Sequence, residues 1–250
     1  MSTFQQHLRR HPFVIAGHRG AAGLAPENTL ASYSLALELG VTMLELDVHR
    51  AHYADGRADL VVIHDNKVNR TTNAKGTLEE FSIEALRQLD AGDGQSLPLL
   101  SEVLDLLTLH TQTTGRITAL NIELKGEETA DLAAQMLSQT FAFPIVISSF
   151  EHFKLTRFRT LMPQAPIAPL YHRYRSDWHT TADDLNACAI NISAKMATQT
   201  RIKKFKAAGY AVFVYTVNSL QEGQQLRDWG ASGLFTDRPD ILMPLSLTNP

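Results

Sequence analysis

The sequence predicts an α/β protein, one (β/α)₈ barrel domain spanning residues 1–250 with a small insertion after the second strand. Three observations carry this reading. Eight short β-rich runs recur along 250 residues, stretches with helical spacing separate most of them, and one interval, Arg50 to Arg116, is too long for a simple strand-to-helix crossover. Alternation of strand and helix calls for a parallel sheet with helices outside, and eight units point to a closed barrel rather than an open doubly wound sheet.

Taken in order, the first strand is Phe13–Gly17, followed by helical spacing over Thr29–Leu39 and a second strand at Met43–Val48. The insertion carries its own strand-like run, Leu60–Ile63, and helical pattern at Ser82–Leu89 and Leu100–Leu109, the latter placed to be the barrel's second helix. It reads as a small subdomain over the barrel mouth. Strands follow at Ile117–Leu124, Ile145–Ser148, Ile167–Tyr171, Ala189–Ile192, Ala211–Val217 and Gly233–Thr236, with helices over Thr129–Ser138, Glu151–Leu161, Gln199–Ala208 and Leu220–Trp229. In Thr236–Pro239 a strand ends and a helix begins, with Asp237 as an expected cap and Pro239 at an early helical position.

Composition excludes several classes. With 44% apolar and 20% charged residues the chain is an ordinary globular protein with ample core. Twenty-three basic against twenty-six acidic residues give a net charge of −3, without the dense basic run that holds a nucleic-acid backbone. The single Cys188 excludes an intramolecular disulfide and a multi-cysteine metal site, and is expected to be a buried small hydrophobe. Met1–Pro12 is polar and basic, the apolar run behind it is too short for a signal-peptide core, and no stretch of about 20 apolar residues offers a membrane span. A cytoplasmic protein without membrane insertion is expected.

Reactive residues of a parallel barrel sit at the C-terminal ends of its strands. His18 and Arg19 follow the first run, Glu45 and Asp47 end the second, and Glu123 and Lys125 end the third. Side chains alternate faces along a strand, so Glu45 pairs with Asp47 and Glu123 with Lys125, and both pairs can point inward. Three carboxylates in one mouth repel one another and are cheapest when a cation neutralises them. All-oxygen ligands favour Mg²⁺ or Ca²⁺ over zinc. The competing reading is a set of structural ion pairs with Arg19 and Lys125.

Two histidines favour chemistry. His18 stands in the Gly-flanked turn Gly17–Gly20 and His64 ends the run Leu60–Ile63, which suits one imidazole to take a proton and the other to give one, as a phosphodiester requires. Arg19 and Lys125 could hold the non-bridging oxygens. Phe150 and Tyr215 could line the pocket mouth, with ordinary packing an equal alternative. His49 shares the parity of Glu45 and Asp47 but lies where the chain leaves the barrel, and is expected to be structural. His110, His152, His172 and His179 have no convergent partners in the sequence and are read the same way.

Across nearly the whole chain the sequence resembles the glycerophosphodiester phosphodiesterase family. The resemblance runs through His18-Arg19-Gly20, Pro26-Glu27-Asn28-Thr29, Glu45-Leu46-Asp47, His64-Asp65, Arg70-Thr71-Thr72, Asn121-Ile122-Glu123-Leu124-Lys125, Ser149-Phe150, Thr216-Val217-Asn218 and Thr236-Asp237-Arg238-Pro239, in family order. It implies a barrel with an insertion after its second strand, a metal site at Glu45, Asp47 and Glu123, and a catalytic pair at His18 and His64. It implies hydrolysis of glycerophosphodiesters to sn-glycerol 3-phosphate and an alcohol, in which a neighbouring glycerol hydroxyl attacks phosphorus and water opens the resulting cyclic phosphate. His18 is expected to be the base of the first step and His64 its acid. The chain departs from the family pattern where Tyr215 replaces the usual Trp, where Ala54–Asp59 lengthens the segment between Asp47 and His64, and where Pro98-Leu99-Leu100 replaces Pro-Thr-Leu. Two other readings keep the barrel: a lysophospholipase D-like phosphodiesterase, against which stands the lack of an apolar surface helix, and a non-catalytic phosphometabolite-binding barrel, against which stand both histidines and all three carboxylates.

Overall fold

The computed structural model describes residues 3–247. In chain order its elements are α1 (Thr3–Arg10), β1 (Val14–Gly17), α2 (Leu30–Leu39), β2 (Met43–His52), β3 (Ala58–Val62), a 3₁₀ turn at Leu78–Glu80, α3 (Ile83–Leu86), α4 (Leu100–Thr114), β4 (Ala119–Leu124) and α5 (Thr129–Met136). There follow β5 (Ile145–Ser149), α6 (His152–Leu161), β6 (Ile167–Tyr171), α7 (Trp178–Asp184), β7 (Ala189–Ser193), α8 (Gln199–Ala207), β8 (Ala211–Tyr215), α9 (Leu220–Asp228), β9 (Gly233–Thr236), α10 (Pro239–Leu242) and α11 (Pro244–Leu247).

Eight parallel strands, all but β3, close into a (β/α)₈ TIM barrel because β1 pairs with β9 on one side and β2 on the other. Each of the eight expected strand runs became one of them. β3 is the exception: it runs antiparallel to the outer half of β2, from Val48↔Val62 to His52↔Ala58, so β2 continues past the barrel rim as one arm of a hairpin. The insertion has its own small core, including Val61, Ile63, Val68, Ile83, Leu86 and Leu97. α4, at the end of the insertion, packs on α2 and supplies the barrel's second helix, as expected.

Strand parity sorts the core. On β2, Leu44, Leu46 and Val48 face the helices, and on β4 so do Leu120, Ile122 and Leu124. Met43 and Ala119 face the barrel interior, where they meet Val14, Ala16, Val146, Ala168, Ala189, Phe213 and Phe235. Small residues on one strand admit large ones from another, so the barrel bottom is packed solid. Phe4 from α1, fully buried, completes that layer with its ring centroid 6.3 Å from that of Phe213. α1 lay outside the sequence expectation: apart from Phe4 and Leu8 its residues are polar, and only the i, i+3, i+4 spacing of Phe4, His7 and Leu8 marks a face. α7 was likewise unforeseen, being short and mostly polar around the buried Trp178.

Candidate active site at the barrel mouth

The interior parity that starts at Met43 and Ala119 continues upward through Glu45, Asp47 and His49 on β2 and through Asn121, Glu123 and Lys125 beyond β4. The parallel register sets Asp47 beside Glu123 and Glu45 beside Asn121. Glu45, Asp47 and Glu123 are all buried, and each offers a carboxylate oxygen within 4.8 Å of the others.

The β1–α2 loop closes over them. Arg19 has a left-handed backbone, φ 52°, which places its N–H 2.9 Å from Glu45 Oε2, while its carbonyl accepts from Asn28 N and from Ser32 Oγ. Gly20, φ 87°, is required there because an added Cβ would stand 2.4 Å from Ser32 Oγ. Asn28 donates from Nδ2 to Asp47 Oδ2 at 3.1 Å and accepts from the buried Tyr33 hydroxyl at 2.7 Å. The Arg19 guanidinium reaches Glu27 at 2.8 Å and lies 3.2 Å from Asp47. Lys125 Nζ sits between Glu123 Oε1, 2.5 Å away, and Asp47 Oδ1, 3.3 Å away.

Two histidines face the same cavity, whose volume is about 120 Å³ and whose lining includes His18, His64, Glu45, Glu123, Lys125 and Phe150. His18 Nδ1 bonds Asp237 Oδ1 at 2.7 Å, which leaves Nε2 4.0 Å from Glu45. His64 Nδ1 bonds Asp65 Oδ1 at 2.6 Å. Asp65 in turn accepts from Arg70 Nε, and Arg70 donates a paired bond from its two terminal nitrogens to the Glu27 carboxylate, so the insertion is tied to the first barrel loop. His49 is buried and its Nε2 meets the His64 carbonyl at 3.0 Å, a supporting role.

Expectation and structure differ at two residues. Asp237 is not a helix cap: α10 has Arg238 at its N-cap without a side-chain bond, and the Asp237 carboxylate instead accepts from His18 and from Asn218 Nδ2 at 2.7 Å. His172 is not isolated: it stacks on Phe150 with centroids 3.8 Å apart and planes 11° apart, and its Nδ1 meets the Tyr215 hydroxyl at 3.3 Å. Its signal was present, since Ala168 faces the interior and Leu170 and His172 share its parity. Phe150 and Tyr215 do line the cavity, edge to face at 5.8 Å.

The electrostatics match the crowding. Burial, then repulsion from Asp47, pushes the Glu45 carboxyl up to about 7 and that of Glu123 up to about 8. Burial acts on Asp47 in the same direction, yet Lys125 and Arg19 hold it below the usual range. Burial alone would depress His18, but Glu45 and Asp237 outweigh it and raise the imidazole. Burial depresses His64, and Lys125 and Arg19 add to that against Asp47. Asp65 is held at about 2, its burial outweighed by hydrogen bonds from Arg70 and His64.

These donors suit a hard cation. Buried negative charge exceeds what Lys125 and a shared Arg19 neutralise, and Glu123 Oε1, for all its closeness to Lys125, makes no aligned hydrogen bond. Three clustered carboxylates offer the all-oxygen donor set that could hold a divalent cation.

A closed barrel with buried acids and carboxylate-bound imidazoles at the C-terminal mouth defines an enzyme of the hydrolytic barrel type. Residues 18–241 match the model of the glycerophosphoryl diester phosphodiesterase family, and the chain belongs to that family of phosphoric diester hydrolases. It is 31% identical over 252 residues to a glycerophosphodiester phosphodiesterase of Caldanaerobacter subterraneus, covering 93% of this chain and 97% of that one. A Bacillus altitudinis glycerophosphodiester phosphodiesterase is 33% identical over 241 residues, covering 90% and 95%. Among solved structures, an Oleispira antarctica phosphodiesterase in complex with the product sn-glycerol-3-phosphate superposes with a TM-score of 0.86 at 28% identity, covering 98% of each chain. A glycerophosphodiester phosphodiesterase from Agrobacterium tumefaciens gives 0.75 at 27% identity, covering 93% of this chain and 99% of the other.

Proposed function

We propose that this chain hydrolyses glycerophosphodiesters to sn-glycerol 3-phosphate and an alcohol, with one Mg²⁺ or Ca²⁺ on Glu45, Asp47 and Glu123 and with His18 and His64 as the acid/base pair. The observation that carries it is one cavity lined by Glu45, Glu123, His18 and His64, with Asp47 clustered against the two glutamates and each of the two imidazoles anchored through Nδ1 to its own aspartate. Family membership and the product-bound Oleispira relative support the substrate class.

Asp237 is held low as a carboxylate and can only accept, so neutral His18 carries its proton on Nδ1 and offers the Nε2 lone pair to the cavity. That lone pair takes the proton of the glycerol hydroxyl next to the phosphate as the new phosphorus–oxygen bond forms. Asp65 orients His64 in the same way, and protonated His64 gives its Nε2 proton to the departing alcohol oxygen as the old bond breaks. Water then opens the cyclic phosphate with the two roles exchanged. A divalent cation held by Glu45, Asp47 and Glu123 would lower the pKa of the attacking hydroxyl and offset charge on the phosphate. Lys125 and Arg19 stand at the cavity wall to hold the non-bridging oxygens. Phe150 and Tyr215 bound the pocket on its aromatic side.

A coupled assay for sn-glycerol 3-phosphate release, run over several head groups with Mg²⁺, Ca²⁺ or chelator, tests this reading. Hydrolysis untouched by chelation removes the metal, and no hydrolysis with any divalent ion removes the activity. An activated leaving group should rescue His64→Ala and leave His18→Ala impaired. Rescue of neither would sink the acid/base scheme.

A further inference from the structure

A second cavity lies at the opposite end of the barrel, where α1 meets the loops that lead into β2, β4 and β5. Its volume is about 480 Å³, and its wall includes His7, Arg10, His11, Thr42 and Arg116 together with Phe141 and Phe143. Among the described residues, none that lines it is acidic. Four basic side chains thus share one hollow without a counter-charge in its wall.

The geometry is built rather than incidental. His7 and His11, one helical turn apart, stack with ring centroids 4.5 Å apart. The Arg116 guanidinium lies against bare backbone, since a Cβ on Gly40 would stand 3.0 Å from Nη2. His7 Nε2 and Thr42 Oγ1 are both buried without a hydrogen-bond partner, although the Thr42 backbone close by favours the His7 proton. Buried polar groups normally find partners, so two in one wall mark a place where a partner is missing. Burial, then His11, depresses His7 to about 4, and burial, then Arg10, depresses His11, so an incoming negative charge would favour the protonated imidazoles that burial and the basic neighbours now disfavour. Phe141 and Phe143, with centroids 5.4 Å apart, add an apolar side to the basic one.

We propose that this basal cavity binds a small organic anion, a phosphate monoester or carboxylate that carries an apolar body of a few carbons. The head group meets Arg10, Arg116 and the two histidines, and the carbon body lies on Phe141 and Phe143. The site is separate from the mouth and shares none of its lining residues.

The test titrates the full chain with hexyl phosphate, hexanoate and inorganic phosphate while following the imidazole NMR signals of His7 and His11, which report the basal end alone. Hexyl phosphate or hexanoate should shift both signals saturably. The exposed pair Arg10→Gln and Arg116→Gln should weaken that binding about tenfold or more, as expected for charge-assisted hydrogen bonds, with phosphodiester hydrolysis unchanged. Phe141→Ala should weaken hexyl phosphate but not inorganic phosphate. Signals that do not move, or that move equally in the double arginine variant, overturn the site; equal affinity for inorganic phosphate and hexyl phosphate overturns the ligand class.

Discussion

The two ends of the barrel handle charge in opposite ways. At the mouth the charged groups lie beside opposite partners: Arg19 serves Glu27 and Asp47, Lys125 serves Asp47 and Glu123, and His18 and His64 each have an aspartate. At the base four basic side chains line a cavity four times larger, with no acid among the described residues of its wall. The mouth is a preorganised network in which each side chain is held by another, so its members should act as a unit and fail together. The base makes few such commitments, and its side chains should be replaceable singly without consequence for the reaction.

The sharpest way to break this contrast is at the histidines. His18→Ala or His64→Ala should lower kcat about 10²- to 10⁴-fold, the range for loss of a positioned acid or base, while circular dichroism stays native. A retained rate would show that the mouth does not work as the unit its hydrogen bonds describe. Next in size are the aspartates behind them. Asp237→Asn and Asp65→Asn should cost about ten- to a hundredfold in kcat with smaller changes in KM, because orientation rather than contact is lost.

Cation binding should report the crowding directly. With Glu45 raised to about 7 and Glu123 to about 8, both carboxyls hold protons at pH 6, and a divalent cation must displace them. Proton release, measured with an indicator in weak buffer, should therefore be large at pH 6 and fall away above about pH 8, and cation affinity should rise over the same interval. Proton release that does not change with pH would mean that the acids are already ionised. The smallest catalytic effect is expected at the base: Phe4→Ala should destabilise the fold by about 3–5 kcal/mol, by the usual cost of emptying a buried Phe site, yet leave kcat within about twofold at temperatures where the barrel stays folded.

How far the sequence foretold these features follows from how local each one is. All eight barrel strands were legible because each is a short apolar run with a turn behind it, and parity then placed Glu45, Asp47, Glu123 and Lys125 on the inner face. α1 and α7 were not legible, because each buries only a few side chains and the rest of its sequence looks like a solvated loop. The partners of the histidines were harder still. Asp237 stands 219 residues from His18, and no spacing rule joins them; read locally, an acid before Arg-Pro resembles a helix cap. Asp65, Arg70 and Glu27 stood in the motifs that carried the family resemblance, yet their chain of bonds forms only when the insertion folds back on the first loop. His172 was the avoidable omission, since it continues the inward parity of Ala168.

That chain of bonds also sets the terms on which the barrel can be re-engineered. One proposed acid/base residue, His18, belongs to the barrel proper, and the other, His64, belongs to the hairpin that leaves it, with Arg70 gripping Glu27 as the clasp between them. The insertion therefore cannot be treated as a detachable cover. A graft of residues 50–116 into a related barrel would carry His64 and Arg70 but leave Glu27 behind, so the transferable module is discontinuous: the segment around Glu27 and Asn28 has to travel with the hairpin.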